Sequence, residues 1–397
     1  MRLRSIERAI RLAMEDSGTT AYLVGGAVRD SLLGRPVADV DLAVPSGEER
    51  LARALSRLGL GTAFALSPAD SPAPVWRVAR PGSTVDVARF EPGASIDDDL
   101  ARRDFTVNAM ARDVGGRRLV DPFGGERDLR AGRLRAISGA NLASDPLRVL
   151  RAYRLAAARG WTIVPDTRRR LAAHARRLAE VAPERVHDEL ARLFAGKSLR
   201  AVAWAASDGV LEATLGIPGT PALLRAARRL PRAAREPAPI AVAGRLAMLF
   251  RAASFGEEEA AAALRRLAFS RAEVRETIRR RRFLDAAFST EAPERVLFAF
   301  RDAIPSLLRL ASGAAATAAE ISRVRALRRA ARRVETAEAP VDGDDVRAWL
   351  GIAPGPEIGR RLEAARFAWF TRRWRSRRAI REGLAGPRPI DRSHRVR

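Results

Sequence analysis

The chain has 397 residues, enough for about two to four domains with cores of their own. It has no cysteine, which excludes disulfides and thiolate metal sites, and only His174, His187 and His394, too few for the His/His-Asp cluster of a metal phosphohydrolase. The formal charge of +25 fits a polyanionic partner, although Lys197 is the only lysine and so strong an arginine bias also fits GC-rich coding.

The opening segment, MRLRSIERAIRLAMEDSG, is amphipathic and charged, without the unbroken apolar run of a signal peptide. No stretch approaches about 20 apolar residues, so the expectation is a cytoplasmic protein with no membrane span. Residues 21–24 read as a short buried strand. Gly25 and Gly26 follow as a turn that lets a phosphate approach the main chain, and residues 27–33 read as a helix whose first amides favour an anion. Next comes VADVDLAV, a strand carrying Asp39 and Asp41. Side chains two apart on a strand share a face, so these carboxylates project together and repel unless a cation joins them. Mg²⁺, a hard ion that takes oxygen ligands and keeps room for phosphates, is the expected cofactor. A Gly-Gly turn alone is usually just a turn, and a DxD strand alone is often a solvated edge. Their order, strand, GG, helix, DxD strand, points to nucleotidyl transfer.

Residues 75–80 and 83–90 read as a hairpin around Pro81-Gly82, with Asp86 on the second arm as a candidate third carboxylate. Residues 99–111, DLARRDFTVNAMA, read as one turn-to-helix segment with Phe105, Val107 and Met110 as its apolar side. Arg102 and Arg103 suit triphosphate oxygens, and Asp104 or Asn108 can hold a ribose hydroxyl. Strand content ends near Asp121–Gly125. From about residue 140 apolar residues recur at helical spacing, with Gly160 as a C-cap and breaks at 216–221, 231–239, Pro293, Pro305 and 354–356. The Ala/Arg-rich stretches 222–230 and 311–333 read as helices. Residues 360–397 hold thirteen arginines against three acids, with Trp369, Phe370 and Trp374 among them. These aromatics either stack on nucleic acid or pack as a buried helix face. No GxGxxG follows the first strand, and no nucleophilic Ser or Cys constellation stands out.

GGAVRD, DVD, RRDFTVNAMA, DPFGGERDL (121–129), DPLRVLRAYRLA (145–156) and PERVHDEL (183–190) stand in this order, and GDDVRAWLGIAPGPEIGRRLEAA (343–365) follows. The set resembles the bacterial-type (class II) tRNA nucleotidyltransferase / poly(A) polymerase family, which includes the CCA-adding enzymes. The resemblance implies an α+β protein: a mixed α/β nucleotidyltransferase head over 1–138, then an all-α neck (139–205), body (206–340) and Arg-rich tail contacting RNA (341–397). It implies that Asp39 and Asp41 bind metal; Asp86, from its place on the hairpin, is counted with them as a candidate catalytic carboxylate. Gly25, Gly26 and Arg29 match the triphosphate-binding turn. Arg103, Asp104 and Asn108 match the segment that contacts ribose and phosphates, and Arg102 beside them stays a candidate nucleotide contact from its chemistry. Asp145 and Arg148 match the pair that reads the incoming base, with Arg151 one turn further in the nucleotide-binding set. The implied partners are the tRNA 3′ end, CTP and ATP.

The implied base-reading role agrees with the chemistry of the pair. Asp145 and Arg148 are three apart, so on a helix they share a face. Asp only accepts and Arg only donates, which matches the exocyclic amine and bare ring nitrogen of cytosine and adenine and rejects uracil and guanine. Two departures stand out. Ser144 replaces the Glu usual in the family, and only eight residues, Glu91 to Asp98, separate Phe90 from Asp99, where CCA-adding relatives carry a longer polar loop associated with switching from C to A. The expected activity is template-independent addition of C, with or without A, to the tRNA 3′ end, and the short segment favours the CC-adding form. A poly(A) polymerase and a non-catalytic RNA-binding relative are the alternatives.

Overall fold

In a computed structural model of the chain, residues 3–37, 39–68, 71, 73–114, 118–230 and 236–386 are described, with side chains from Ile6 onward. His394, the last arginines of the tail and most of the 231–239 break lie outside the described residues. The chain forms two compact units, Met1–Gly219 and Thr220–Arg397. The expected head and neck, and the first residues of the expected body, lie in the first unit.

Seven strands form the sheet of the first unit: β1 (Tyr22–Val24), β2 (Asp39–Val44), β3 (Thr62–Ala65), β4 (Val75–Arg80), β5 (Ser83–Arg89), β6 (Ala111–Asp113) and β7 (Leu119–Val120). Their order is β3-β4-β5-β2-β1-β6-β7. Only β2 and β5 run parallel; the other neighbours are antiparallel. The central strand β2 explains the arrangement. Val40, Leu42 and Val44 alternate onto one face and are fully buried. Helix Glu48–Arg57 packs under that side of the sheet, burying Leu51, Ala52 and Leu55, and helix Leu3–Ser17 covers it in turn with Ile6, Ile10 and Ala13. Each such leucine contributes about 2 kcal/mol on burial. The opposite face of β2 carries Asp39 and Asp41. One strand thus anchors the core and presents the carboxylates.

The hairpin forms as its sequence indicates, with Gly82 at φ +78° in the turn. The 99–111 segment is less regular than expected. Helix Ile96–Ala101 ends before Arg102, a single 3₁₀ turn covers Thr106–Asn108, and β6 has begun by Ala111. The apolar side is as expected: Phe105, Val107 and Met110 are fully buried. The DPFGG turn buttresses this segment. Asp121 accepts from the amides of Gly125 and Glu126 at 2.6 and 3.0 Å, and a Cβ on Gly125 would lie 2.2 Å from the Thr106 carbonyl oxygen. Strand content continues past Gly125: β8 (Arg133–Leu134) pairs in parallel with β9 (Thr162–Ile163). Two residues are too few to show alternation in a sequence.

Helix Leu147–Arg159 ends at Gly160, φ +74°, and packs against helix Pro183–Ala195, with Val149, Leu150, Tyr153, Leu190, Leu193 and Phe194 buried and Arg154 donating to Glu189 at 2.5 Å. In the second unit, helices Ala238–Ala252 and Arg271–Ala287 form the main packed pair. Helices Pro221–Arg229, Ile304–Ala314 and Ala318–Ala331 occupy the Ala/Arg-rich stretches. Helices Gly343–Leu350, Pro356–Phe370 and Arg377–Ala385 close around Val346, Ala365, Ile380 and Leu384. Phe370 is buried against Phe298, and Trp374 lies so close over Gly383 that a Cβ there would meet the indole at 2.1 Å. The tail aromatics therefore pack. Trp369 and Trp374 also line a surface cavity of about 260 Å³ with Glu335, Arg372 and Arg375. Among the described residues no helix is long and apolar enough to cross a membrane.

Candidate active site

The site lies on the open face of β2. Asp39 stands opposite Thr84 and Asp41 opposite Asp86, so all three carboxylates share one face of the sheet. Thr84 donates to Asp39 at 2.9 Å. Burial lifts the Asp41 carboxyl above its ordinary value; Asp86 and Asp39 add to the rise, while Arg103 and Arg151 oppose it. A buried carboxylate crowded by its own kind is the chemistry a bound cation relieves. Asp39 and Asp41 supply hard oxygen donors suited to Mg²⁺ shared with a phosphate. Among the described residues no three His, Cys, Asp or Glu side chains are grouped to hold an ion by themselves. Asp86 is otherwise engaged, since Arg77 donates to both of its oxygens at 2.7 Å.

β1 delivers the glycine turn beside this pair. Gly25 has φ +66° and ψ −128°, and its amide donates to the Met110 carbonyl at 3.3 Å. A Cβ there would lie 2.8 Å from Nη1 of Arg103 and 3.5 Å from Oδ2 of Asp41. Arg103, Gly25 and Asp41 thus meet at one point. Arg103 is steadied by Asp99, which accepts from its Nε and Nη2 at 3.1 and 2.9 Å. Arg102 pairs with Glu91 and is half exposed.

The other head residues singled out in the sequence form an internal chain. Arg29, Asp104 and Asn108 are 8%, 6% and 4% exposed, so their side chains point inward. Arg29 donates to the Asn108 side-chain oxygen at 2.5 Å and pairs with Asp30 at 3.1 Å. Asn108 donates to Asp104 at 2.8 Å, and Asp104 meets Arg151 at 3.0 Å. Arg159 closes the line on Asp30 at 2.8 Å. This network ties the glycine-turn helix, the 104–108 segment and helix Leu147–Arg159 into one rigid floor.

Asp145 and Arg148 do not share a helix as their spacing predicted. Asp145 is extended (φ −139°, ψ 94°), between helices Gly139–Ser144 and Leu147–Arg159. Pro146 is the cause, because the residue before a proline is driven out of the helical region. The pair still meets, with Nε of Arg148 3.9 Å from Oδ2 of Asp145 and Arg185 3.7 Å from the same oxygen. Arg148 also donates to the carbonyls of Arg102 and Asn141 at 2.8 and 3.1 Å. Ser144 is exposed and its hydroxyl donates to the Asn141 carbonyl at 2.9 Å.

Sequence reasoning missed Arg77 and Asn141. The side-chain amide of Asn141 donates to the carbonyls of Ala101 and Arg103, both at 2.7 Å, fixing the backbone that carries Arg102 and Arg103. Nothing in its sequence context marks it. The register of the hairpin does reveal Arg77: with Arg80 opposite Ser83, Arg77 must face Asp86.

Residues 21–65 and 74–135 match the family described as Poly A polymerase head domain, and residues 160–215 match the one described as Probable RNA and SrmB- binding site of polymerase A. Among curated proteins the chain is 45% identical over 197 residues to a CC-adding tRNA nucleotidyltransferase of Synechocystis sp., covering 48% of this chain and 46% of that protein. It is 44% identical over 201 residues to an A-adding tRNA nucleotidyltransferase of Deinococcus radiodurans, covering 49% and 45%. The chain is thus matched over less than half the length of these curated relatives. Its fold superposes on the Bacillus stearothermophilus CCA-adding enzyme in complex with CTP at a TM-score of 0.71, with 28% identity and 97% of each chain covered. Residues 21–65, 74–135 and 160–215 are thus similar to a polymerase head domain and its RNA-binding segment, and the fold is similar to that of a CCA-adding enzyme.

Proposed function

We propose that this protein is a template-independent, Mg²⁺-dependent nucleotidyltransferase that adds cytidine to the 3′ end of tRNA and stops before adenosine. One observation carries the catalytic reading: Asp41 is crowded by Asp39 and Asp86 and meets Arg103 at the Gly25 turn. An RNA clamp gains nothing from carboxylates facing a polyanion. Asp39 and Asp41 would hold Mg²⁺, which supplies activation of the RNA 3′-hydroxyl and neutralisation of the departing pyrophosphate. Gly25, Gly26 and Arg103 receive the phosphates; Arg102 joins them at the rim, and the Arg29–Asn108–Asp104–Arg151 line keeps that surface rigid. The 3′-oxygen forms its bond to the α-phosphorus as the α–β bridging bond breaks, and pyrophosphate leaves. In the tail, Arg372 and Arg375 beside Trp369 and Trp374 are offered to RNA.

The choice of C over CCA rests on residues 91–98. The segment is used up by a turn, in which the Ala94 amide donates to the Glu91 carbonyl at 3.0 Å, and by the Ser95/Asp98 capping box of helix Ile96–Ala101. No length remains for a lever that moves the base reader.

The base-reading role of Asp145 and Arg148 has its own test. Arg148→Ala removes one hydrogen-bonding partner of the base, worth about 1–3 kcal/mol. Cytidine incorporation should fall about tenfold to a hundredfold, and the preference for CTP over UTP should relax. Single-turnover incorporation of each nucleotide checks this; a uniform loss with preference intact would assign Arg148 to backbone support alone. The reading as a whole is tested by offering tRNA and an unstructured RNA with CTP or ATP. Short C additions on tRNA alone support it. A long adenosine ladder on either RNA indicates a poly(A) polymerase, and binding without incorporation indicates an RNA-binding relative.

A further inference from the structure

The open face of the sheet carries one ion pair that this mechanism leaves unused. β4, β5 and β2 are neighbours, and Arg77, Asp86 and Asp41 stand opposite one another across them. In-register residues on adjacent strands point to the same side, so the three form a row. Nε of Arg77 donates to one Asp86 oxygen and Nη2 to the other, each at 2.7 Å. This two-pronged geometry engages both carboxylate oxygens with a permanent cation. Among the described residues Asp39 and Asp41 have no such partner: Asp39 receives a hydroxyl, and Arg103 approaches Asp41 across Gly25 but forks onto Asp99.

We infer that Arg77 is a positioning residue that withholds Asp86 from the catalytic cation, so that without nucleotide the site is a two-carboxylate site. The inference rests on the reading of Asp39 and Asp41 as the cation's ligands. Its consequence is electrostatic. Three free carboxylates would capture a divalent ion without substrate and would repel an incoming triphosphate. With both Asp86 oxygens held by Arg77, the cation is held weakly until the nucleotide brings phosphate oxygens to complete its shell. Cation and nucleotide then load together.

The test measures Mn²⁺ binding to the full-length, nucleotide-free protein by the electron paramagnetic resonance signal of the free ion. Arg77→Met removes the guanidinium and keeps most of the volume. It should bind Mn²⁺ at least about tenfold more tightly than wild type, since a full charge acts on a divalent ion at close range. The charge-balanced double variant Arg77→Met/Asp86→Asn should return to within about twofold of wild type. Adding a non-reactive CTP analogue should tighten Mn²⁺ binding more in wild type than in Arg77→Met. If Arg77→Met does not fold, Arg77→Lys, a point charge that cannot grip both oxygens, must shift affinity in the same direction. Unchanged or weaker binding in the single variant overturns the inference, as does a double variant that binds about tenfold less well than wild type, because Asp86 would then already be a ligand. Asp41→Asn separates the two levels. Loss of Mn²⁺ binding in that variant upholds the cation site whatever Arg77 does, whereas indifference removes the site and the inference together.

Discussion

Asp41→Asn should reduce nucleotide incorporation by about 10³-fold or more while leaving RNA binding and the fold in place. A factor of 10³ corresponds to about 4 kcal/mol of transition-state stabilisation, an ordinary loss when a metal-holding carboxylate becomes an amide. The same substitution should not destabilise the protein. Burial and the neighbouring Asp86 and Asp39 raise the folded-state pKa of Asp41 despite Arg103 and Arg151. A carboxyl whose folded pKa exceeds its unfolded value costs stability when ionised, that is, above the folded pKa. The cost fades as pH falls from the folded toward the unfolded value. Asparagine carries no such cost. The variant should therefore melt at or above the wild-type temperature in metal-free buffer at pH 7, and the difference should shrink on acidification. Thermal unfolding at several pH values beside an incorporation assay checks both halves. A variant that is inactive because it is unfolded would not support a catalytic role.

Gly25→Ala should cost about a hundredfold in incorporation with little loss of secondary structure. The backbone angles of Gly25, φ +66° and ψ −128°, are closed to L side chains in practice. A methyl group would also sit 2.8 Å from the guanidinium of Arg103 and 3.5 Å from Asp41. The cheapest relief is to move Arg103, whose side chain is long and whose partner Asp99 is itself partly exposed. Arg103 would then leave the point where the proposed triphosphate meets Asp41. The effect should appear mainly as weaker nucleotide binding. Titration of CTP against each protein would show this, and an unchanged apparent affinity would contradict the role given to the turn.

How far the sequence reveals this site depends on how local each signal is. The period of two along β2 placed Asp39 and Asp41 on one face, and Pro81-Gly82 marked the hairpin that carries Asp86. Both follow from backbone geometry alone. The error at Asp145 had a local cause that could have been used: counting three residues to Arg148 ignored Pro146, which bars Asp145 from the helix. The inward aim of Arg29, Asp104 and Asn108 could not be read, because charged and amide residues are ordinarily exposed and their mutual satisfaction is a tertiary fact. The same holds for Asn141, whose two acceptors lie about forty residues away in the chain. Arg77 lies between these cases, hidden only until the two arms of the hairpin are set in register.

The most direct test of the account is the length of the product. Purified protein with Mg²⁺ would be given tRNA transcripts ending before CCA, after C and after CC, with CTP and ATP alone and together, and the products resolved to single nucleotides. The account predicts two cytidines on the first transcript, one on the second, and no adenosine on the third. Completion to CCA would contradict it, and would show that a base reader built around Asp145 and Arg148 can change its choice without the longer loop.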